Sequence, residues 1–436
     1  MSSVLKRNQM VVFATAWISY AVIYFLRKPI GIIKPVLESE FSLSKTDLGL
    51  MDVAFLLPYA AIQVFGGHLG DKLGPRLTIA LCLSIGGTAM FTFGAWNRYS
   101  LLLLTMFING ITQGPCWPAI CKAVCAWYPD QQLNSVIGVL STSVYVGGAA
   151  GTALAVHLQY YYGWRMVFLP SAVVAVALGV VVYCVMQSPD EKHITVPGKE
   201  SMITPKIGDD VANRRSFCQL WKIPAVPEVT MTVLCLKVVR YCMLLWLPIF
   251  LVHYLQYSVA QAGMFSTIFD VGGSLGSPLI GFILDRKFKK NTFLGMWLFV
   301  SISSISMALF AMTAKLGFFY NALFMLIAGA SNGGADSLLA GSLSMKMGEA
   351  NGMRSGAAVT GLINGVGTFG AVFEGPVVGY ISDHYGWGAM LTLMIVLSAV
   401  SSLTMFRAMV VQRKADRYAI PHHGSSNSED KVPLMS

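Results

Sequence analysis

Gly67-His-Leu-Gly-Asp71-Lys72-Leu-Gly-Pro-Arg76 recurs later in the chain, in shortened form, as Gly281-Phe-Ile-Leu-Asp285-Arg286. The copies lie 214 residues apart, and each follows an apolar stretch long enough to cross a bilayer. The leading glycine allows two helices to approach closely, and the charges that follow are suited to holding helix ends together. We expect a gating contact formed by Gly67, Asp71, Lys72, Arg76, Asp285 and Arg286, with a static helix cap as the alternative.

Other landmarks repeat at nearly the same spacing. Arg27 and Arg240 are 213 residues apart, and two further pairs share an offset of 223: Asn109-Gly110 with Asn332-Gly333, and Tyr162-Gly163-Trp164 with Tyr385-Gly386-Trp387. Steady offsets indicate a duplicated chain whose halves are related by an axis along the membrane normal. The step from 214 to 223 indicates a nine-residue insertion between the eighth and tenth spans.

Composition places the chain in a bilayer. Apolar residues make up 55% of it and charged residues only 12%, about half the usual globular share. Windows of about 20 apolar residues predict an all-α membrane protein with twelve transmembrane helices in two pseudo-symmetric halves of six. The spans are 10–33, 48–70, 76–97, 100–124, 133–156, 165–187, 228–253, 260–284, 291–313, 316–345, 355–380 and 386–411.

The domain organisation follows from these spans. One six-helix half covers residues 1–187 and the other covers 228–411, with a polar linker at 188–227 and a polar tail, expected to be disordered, at 412–436. One side of the membrane collects about 21 Lys and Arg and the other about five. The excess predicts that both termini are cytosolic.

Several function classes are excluded. The net charge of +10 is spread over loops and forms no single patch, which argues against nucleic-acid binding. The eight cysteines form no metal-ligand set, and no nucleophile–base pair or phosphate-cradling loop suggests an enzyme. We therefore expect no cofactor and no metal. The bilayer and small molecules are the expected partners, and a monomer is the expected state.

One arginine lies within the first span of each half, Arg27 in the first and Arg240 in the second. A charge at bilayer depth costs at least about 2.5–3.5 kcal/mol, so it persists mainly where it faces a wet cavity or a partner. Tyr20 and Tyr24 share a helix face with Arg27, and Lys237 shares one with Arg240. No carboxylate is equally central in the sequence, and guanidinium groups match phosphate bidentately. The pair therefore predicts a site for a multiply charged oxyanion, with an interfacial position for Arg27 as the alternative.

Three acidic residues also lie deep in predicted spans. Asp270 is placed to neutralise Lys28 across the two halves, in a pair that forms in one conformation and breaks in another or is static. Asp336 and Glu374 are candidates for proton coupling. Both are equally compatible with helix packing.

The sequence resembles a known family in four runs: Tyr-Phe-Leu-Arg27-Lys28-Pro, Asn109-Gly-x-x-Gln-Gly-Pro-Cys-Trp117-Pro, Arg240-Tyr-x-x-Leu-x-Trp-x-Pro and Phe269-Asp270-Val-Gly-Gly. These resemble the organophosphate:phosphate antiporters of the major facilitator superfamily, which include bacterial glycerol-3-phosphate and hexose-phosphate carriers and animal sugar-phosphate exchangers. The resemblance implies exchange of a phosphorylated metabolite for inorganic phosphate by alternating access. It further implies that the path is lined by Arg27, Arg240, Tyr24, Tyr59, Trp117 and Lys122, with Lys237 added from its position beside Arg240, and that Lys28 pairs with Asp270.

The sequence departs from that family around the predicted site. Bacterial members often carry a lysine in place of Gln63, a histidine in place of Val144 and a tyrosine in place of Lys237. The departures leave two other functions open, a proton-coupled organic-anion carrier of the same fold and a non-transporting membrane sensor of a phosphorylated metabolite. The expected location is the plasma membrane or an endomembrane, either the endoplasmic reticulum or the lysosome or vacuole.

Overall fold

The computed structural model of the protein describes residues 3–43, 45–197, 217–247, 250–251, 254–257, 259–314, 316–350 and 355–419. Its regular structure there is helical throughout. The first half contains eight helices: α1 (Ser3–Phe25), α2 (Pro29–Glu40), α3 (Lys45–Leu73), α4 (Pro75–Phe93), α5 (Tyr99–Gln113), α6 (Cys116–Trp127), α7 (Leu133–Tyr162) and α8 (Leu169–Val185).

A short helix, α9 (Phe217–Leu220), precedes the second half. That half contains α10 (Val226–Leu245), α11 (Val259–Lys287), α12 (Thr292–Thr313), α13 (Phe318–Leu338), α14 (Ser344–Glu349), α15 (Gly356–Tyr385) and α16 (Trp387–Ala419), with a π-helical turn at Leu339–Leu343 joining α13 to α14.

Each predicted span corresponds to helical structure, so the prediction of an all-helical membrane protein is confirmed. In the described ranges, ten helical stretches are long and apolar enough to cross a membrane. The other two predicted spans are the α5–α6 pair and α10. The first is broken at Gly114-Pro115, because proline cannot continue the hydrogen-bonded ladder of a helix. The second carries Lys237 and Arg240, which lower its hydropathy.

The end of the last span differs from the prediction. Helix α16 continues to Ala419, past the expected edge at residue 411, because the segment that follows is rich in good helix formers. Only residues 420–436 of the predicted tail, and residues 198–216 of the predicted linker, lie outside the described residues.

The halves pack through two equivalent pairs of helices, α3 against α15 and α7 against α11. Glycines bring these helices into backbone contact. A Cβ at Gly281 of α11 would collide with the backbone of Asn134 on α7, and one at Gly365 of α15 would collide with Val64 of α3. The matching pairs are the structural counterpart of the sequence repeat.

The repeated Asn-Gly sequence has the same role in both halves. Asn109 Nδ2 donates to the Leu26 carbonyl at 3.2 Å, and Asn332 Nδ2 donates to the Leu236 carbonyl at 3.3 Å. Both carbonyls lie in the first span of their half, close to the arginine. Each asparagine therefore fixes the segment that presents a guanidinium group to the space between the halves.

Candidate functional site

A cavity of about 940 Å³ lies between the two halves. Six of the seven residues predicted to bind substrate line it, together with three further charged residues predicted from the sequence. The lining includes Tyr24, Arg27, Tyr59, Trp117, Lys237 and Arg240, and also Lys28, Asp270 and Asp336. Its walls come from α1, α3, α7, α10 and other helices of both halves, so a relative movement of the halves would change its shape.

Arg27 lies where the first span breaks, between the end of α1 at Phe25 and Pro29 at the start of α2. Its guanidinium carbon is 4.5 Å from the ring centroid of Tyr59, 4.9 Å from that of Phe55 and 5.2 Å from that of Tyr24. No carboxylate of the described residues lies within 4.0 Å of it, and Arg27 Nε has no hydrogen-bond partner there. Aromatic faces stabilise a cation without neutralising it, so Arg27 keeps its charge for a ligand.

Arg240 has a carboxylate partner that the sequence analysis missed. Its Nη1 donates to Asp336 Oδ2 at 3.1 Å, and its Nη2 donates to the Tyr145 hydroxyl at 3.3 Å. The expectation that no central carboxylate serves the arginines was therefore wrong. The reason is the rotation of α13, which turns Asp336 toward α10, and a buried guanidinium is far less costly beside such a partner.

Tyr145 is a cavity residue that the sequence analysis did not identify. Its side chain extends from α7 of the first half into a slot between Gly273 and Gly333 of the second half, where neither glycine has room for a Cβ. In this position the Tyr145 hydroxyl accepts a hydrogen bond from Arg240. The one available signal was the pair of small residues on α11 and α13, because two glycines facing one position leave space for a large side chain from the opposite half.

Lys237 lies on the same face of α10 as Arg240, one helical turn away. The residue is only 9% exposed, and its Nζ donates to Asn364 Oδ1 at 2.6 Å. Its aliphatic stem packs against Gly367. Asn364 and Thr368 of α15 line the cavity beside it.

Lys122 does not line the cavity, which corrects the prediction made from the family resemblance. Its Nζ forms an ion pair with Asp71 Oδ1 at 2.5 Å, and the Asp71 side chain is fully buried. A buried carboxylate requires a compensating charge, and Lys122 on α6 is within reach of the end of α3. The lysine therefore contacts the first copy of the repeated motif.

The two copies of the repeated motif, at Asp71 and at Asp285, contact the opposite half at the end of the bundle where α1 begins and α16 ends. Asp71 Oδ2 accepts from the backbone N–H of Ala358 at 3.0 Å. At the equivalent position of the second half, Asp285 accepts from Asn134 Nδ2 at 2.8 Å and from the Ser135 backbone N–H at 2.6 Å. Both carboxylates thus bind the start of a helix in the opposite half, where helix dipoles favour negative charge.

The other motif residues contribute less to this contact. Arg76 lies 3.6 Å from Glu191 and its guanidinium carbon is 4.6 Å from the Tyr183 ring centroid, while the Arg286 guanidinium carbon is 4.2 Å from that of Phe282. Lys72 is exposed to solvent, and Gly67 lies within α3. The cross-half contact therefore rests on the two aspartates.

The halves are closed at this end and open toward the other. Trp117 Nε1 donates to the Ala340 carbonyl across the interface at 2.8 Å, which seals the cavity below the arginines. Toward the opposite end the lining continues along the first turns of α3 and the second half of α7, at Met51, Asp52, Thr152 and Ala153. Among the described residues, the cavity therefore extends toward the side opposite the start of α1.

Lys28 and Asp270 both line the cavity but do not form the predicted pair in this conformation. No nitrogen–oxygen contact of 4.0 Å or less joins these two described residues. The Lys28 side chain extends along α7, with its Cε beside Gly148. The pair would cross the interface on the open side, where the halves are apart, so its formation in the opposite conformation stays a prediction.

Glu374 lies apart from the cavity, among apolar side chains of the second half. It is 2% exposed, and its carboxylate interacts with the Cys242 thiol of α10. The structure separates this residue from Asp336, with which it was grouped as a coupling candidate. Asp336 forms an ion pair with Arg240, and Glu374 does not contact that arginine.

Residues 16–361 match the family described as Major Facilitator Superfamily. The chain belongs to that superfamily. It is a multi-pass membrane transporter and not an enzyme, as the duplicated helices and the polar cavity between them indicate. Solved structures agree on the fold: the proton:xylose symporter XylE bound to 6-bromo-6-deoxy-D-glucose has a TM-score of 0.72 at 13% identity, covering 92% of this chain and 96% of that one.

Two groups of relatives are similar over nearly the whole chain. The putative glycerol-3-phosphate transporter 2 of Arabidopsis thaliana is 28% identical, with 99% of this chain and 91% of that protein aligned. Sugar phosphate exchanger 3 of Bos taurus is 25% identical, with 91% of this chain and 92% of that protein aligned. The resemblance to organophosphate carriers that the sequence motifs indicated is thereby confirmed.

Proposed function

We propose that this transporter exchanges a phosphorylated metabolite, such as a sugar phosphate or glycerol phosphate, for inorganic phosphate by alternating access. The observation that carries the proposal is Arg27, a cavity-lining guanidinium that faces three aromatic rings and, among the described residues, no carboxylate. A buried cation in that state is stabilised by an oxyanion ligand, and the planar guanidinium matches a phosphoryl group through two parallel hydrogen bonds. The names of the relatives support the same ligand class.

The proposed cycle uses binding energy and no covalent chemistry. The phosphoryl group binds Arg27 from the first half and Arg240 from the second, which draws the halves together on the open side. The Asp71 and Asp285 contacts at the other end then separate, and the cavity opens there. A ligand drives this change only to the extent that it binds the two states with different affinity. Inorganic phosphate and the organic phosphate compete for the same arginines, so one returns as the other leaves.

The test is counterflow in proteoliposomes loaded with inorganic phosphate. External labelled phosphate and glycerol 3-phosphate should both enter in exchange for internal phosphate. Arg27→Ala should reduce uptake at least about a hundredfold, while the melting temperature in detergent stays close to that of wild type. The matched surface control is Arg413→Ala, at an exposed position of α16, which should exchange normally. Normal uptake by the folded Arg27→Ala protein would refute the site.

A proton-coupled carrier of an organic anion is the second candidate, and the Arg240–Asp336 pair is the observation that favours it. Protonation of Asp336 would release Arg240 for an anion, so substrate and proton would bind together. An imposed proton gradient that drives uptake into liposomes without internal phosphate would support this function over exchange. Strict dependence on internal phosphate would exclude it.

The charge asymmetry of the loops supports a cytosolic location for both termini. With that orientation, the cavity opens to the lumen or the cell exterior. Cysteine labelling from each side of sealed vesicles, with a single cysteine at Lys72 or at Tyr161, would test the orientation. Both positions are exposed in the structure and lie at opposite ends of the bundle.

A further inference from the structure

The cavity has a second cationic position beside the arginines. Lys237 is one helical turn from Arg240, is only 9% exposed and lines the cavity. Lysines this buried are rare unless they are paired with an anion. Among the described residues, however, no carboxylate lies within 4.0 Å of its ammonium group.

The hydrogen bonds of Lys237 are also incomplete. An ammonium group has three donors, and the one acceptor that the described residues provide is Asn364 Oδ1 at 2.6 Å. The neighbouring Thr368 hydroxyl donates to the Asn364 backbone carbonyl at 2.9 Å, and it brings no negative charge to Lys237. Two donors of the ammonium group thus remain for a molecule in the cavity.

The stem of Lys237 is fixed, so this charge cannot move away from the cavity. Gly367 lies against its Cδ and Cε, and a Cβ there would approach the Cδ to 2.9 Å. The bond to Asn364 fixes the far end. A preorganised cation loses little entropy on binding a ligand, which makes it an effective recognition group.

The cationic side chains of the cavity fall into two groups, those with a carboxylate partner and those without one. Arg240 is compensated by Asp336 at 3.1 Å, and Asp52 at the open end is compensated by Lys34 at 2.5 Å. Arg27, Lys28 and Lys237 have no carboxylate within 4.0 Å among the described residues, and Asp270 lines the same cavity. A ligand that contacts both Arg27 and Lys237 gains a charge-assisted hydrogen bond at each when it carries two anionic groups.

We propose that Lys237, Asn364 and Thr368 form a second subsite that binds a carboxylate, and that the preferred organic substrate is a small phosphorylated acid. This inference rests on the proposed function, because the phosphoryl group of that substrate occupies the arginines. The carboxylate accepts two hydrogen bonds from the Lys237 ammonium group. The Thr368 hydroxyl donates to the Asn364 backbone carbonyl and so helps to hold the residue that accepts from Lys237.

A matched pair of ligands tests the subsite directly. Glycerol 3-phosphate and 3-phosphoglycerate have the same three-carbon skeleton and the same phosphoryl group. The end of the chain opposite the phosphoryl group is a hydroxymethyl group in glycerol 3-phosphate and a carboxylate in 3-phosphoglycerate. Competition with labelled phosphate in counterflow, at about pH 7.5, gives the affinity of each ligand. Charge-assisted hydrogen bonds to the ammonium group should make 3-phosphoglycerate at least about tenfold the better competitor.

Lys237→Met keeps the length and packing of the side chain and removes its charge. This variant should lose the preference for 3-phosphoglycerate, so that the two ligands compete with labelled phosphate to within about threefold of each other. Lys289→Met, at an exposed position after α11, is the matched control and should keep the wild-type ratio. The ratio of the two ligands is a readout that a general loss of stability would not move.

The outcomes separate the two proposals. If wild type exchanges phosphate for glycerol 3-phosphate but does not prefer 3-phosphoglycerate, the second subsite is wrong and the proposed function stands. A preference that survives in a folded Lys237→Met protein also overturns the subsite. If neither organic phosphate competes with labelled phosphate, the proposed function fails and the subsite fails with it.

Discussion

Replacing Asp336 with asparagine should strengthen phosphate binding. The substitution keeps the size of the side chain and an oxygen acceptor for Arg240, and it removes one negative charge from the cavity wall. In the wild-type protein that charge attracts Arg240 at 3.1 Å and repels any anion that approaches the same guanidinium. The predicted change is therefore a gain in affinity, opposite to the usual result of altering a residue in a binding site.

The size of the gain follows from the geometry. A phosphoryl group on the free edge of the guanidinium would lie about 8 Å from the Asp336 carboxylate, where an effective dielectric constant of about 20 gives a repulsion of about 2 kcal/mol per unit charge. Water in the open cavity reduces this to about 1 kcal/mol if the effective dielectric constant is about 40. The dissociation constant for phosphate should fall by a factor of about 5 to 30.

Calorimetric titration of the purified protein with inorganic phosphate, at about pH 7.5, measures this constant. Asp52→Asn is the matched control, because Asp52 also lines the cavity but pairs with Lys34, and its side chain is 46% exposed. Its effect should stay within about twofold, as expected for an exposed pair. Unchanged or weaker phosphate binding by a folded Asp336→Asn protein would refute the repulsion argument.

Two further variants test the contacts between helices. Asp71→Asn leaves Lys122 without its buried partner and should lower the free energy of unfolding by about 3 kcal/mol. This value is near the lower end for a broken buried pair, because the Lys122 side chain is 22% exposed. Thermal unfolding in detergent measures the loss. The double variant Asp71→Asn/Lys122→Met should recover part of it, and an equal or larger loss would contradict the pairing. Tyr145→Phe removes the hydroxyl that Arg240 reaches at 3.3 Å, so the exchange rate should change by about threefold to tenfold at unchanged unfolding temperature. A wild-type rate would show that this bridge between the halves does not contribute to exchange.

The sequence was sufficient for the features that depend on composition and repetition. The spans follow from hydropathy, and the duplicated halves follow from the Asp71 and Asp285 motifs, which form equivalent contacts in the structure. Arg27 could be identified because a charge within an apolar span is conspicuous. Its aromatic neighbours on the same helix face follow from helical spacing.

Contacts between different helices were harder to predict. Asp336 and Arg240 belong to separate spans, and their pairing depends on how α13 is rotated about its axis, which hydropathy does not specify. The same holds for Lys122, which lies deep in a predicted span but turns toward Asp71 and away from the path. Tyr145 carries no charge, so nothing in its own segment distinguished it from a packing residue. These positions require the relative placement of helices, and a single sequence contains that information only indirectly.

The charge of Arg27, which no carboxylate of the described residues compensates, has a consequence for leakage. When the halves close around an empty cavity, this cation loses its water without gaining a counter-ion, which costs several kcal/mol per ion even after the protein relaxes. Under the proposed exchange cycle, the empty carrier would therefore reset slowly and the anion-bound carrier would reset fast. Net flow of phosphate down its gradient would then be suppressed, because the carrier would return only with a bound anion. An uncompensated Arg27 would in this way couple outward to inward transport one for one, so that exchange would change the chemical form of the phosphate on each side of the membrane and not its total amount.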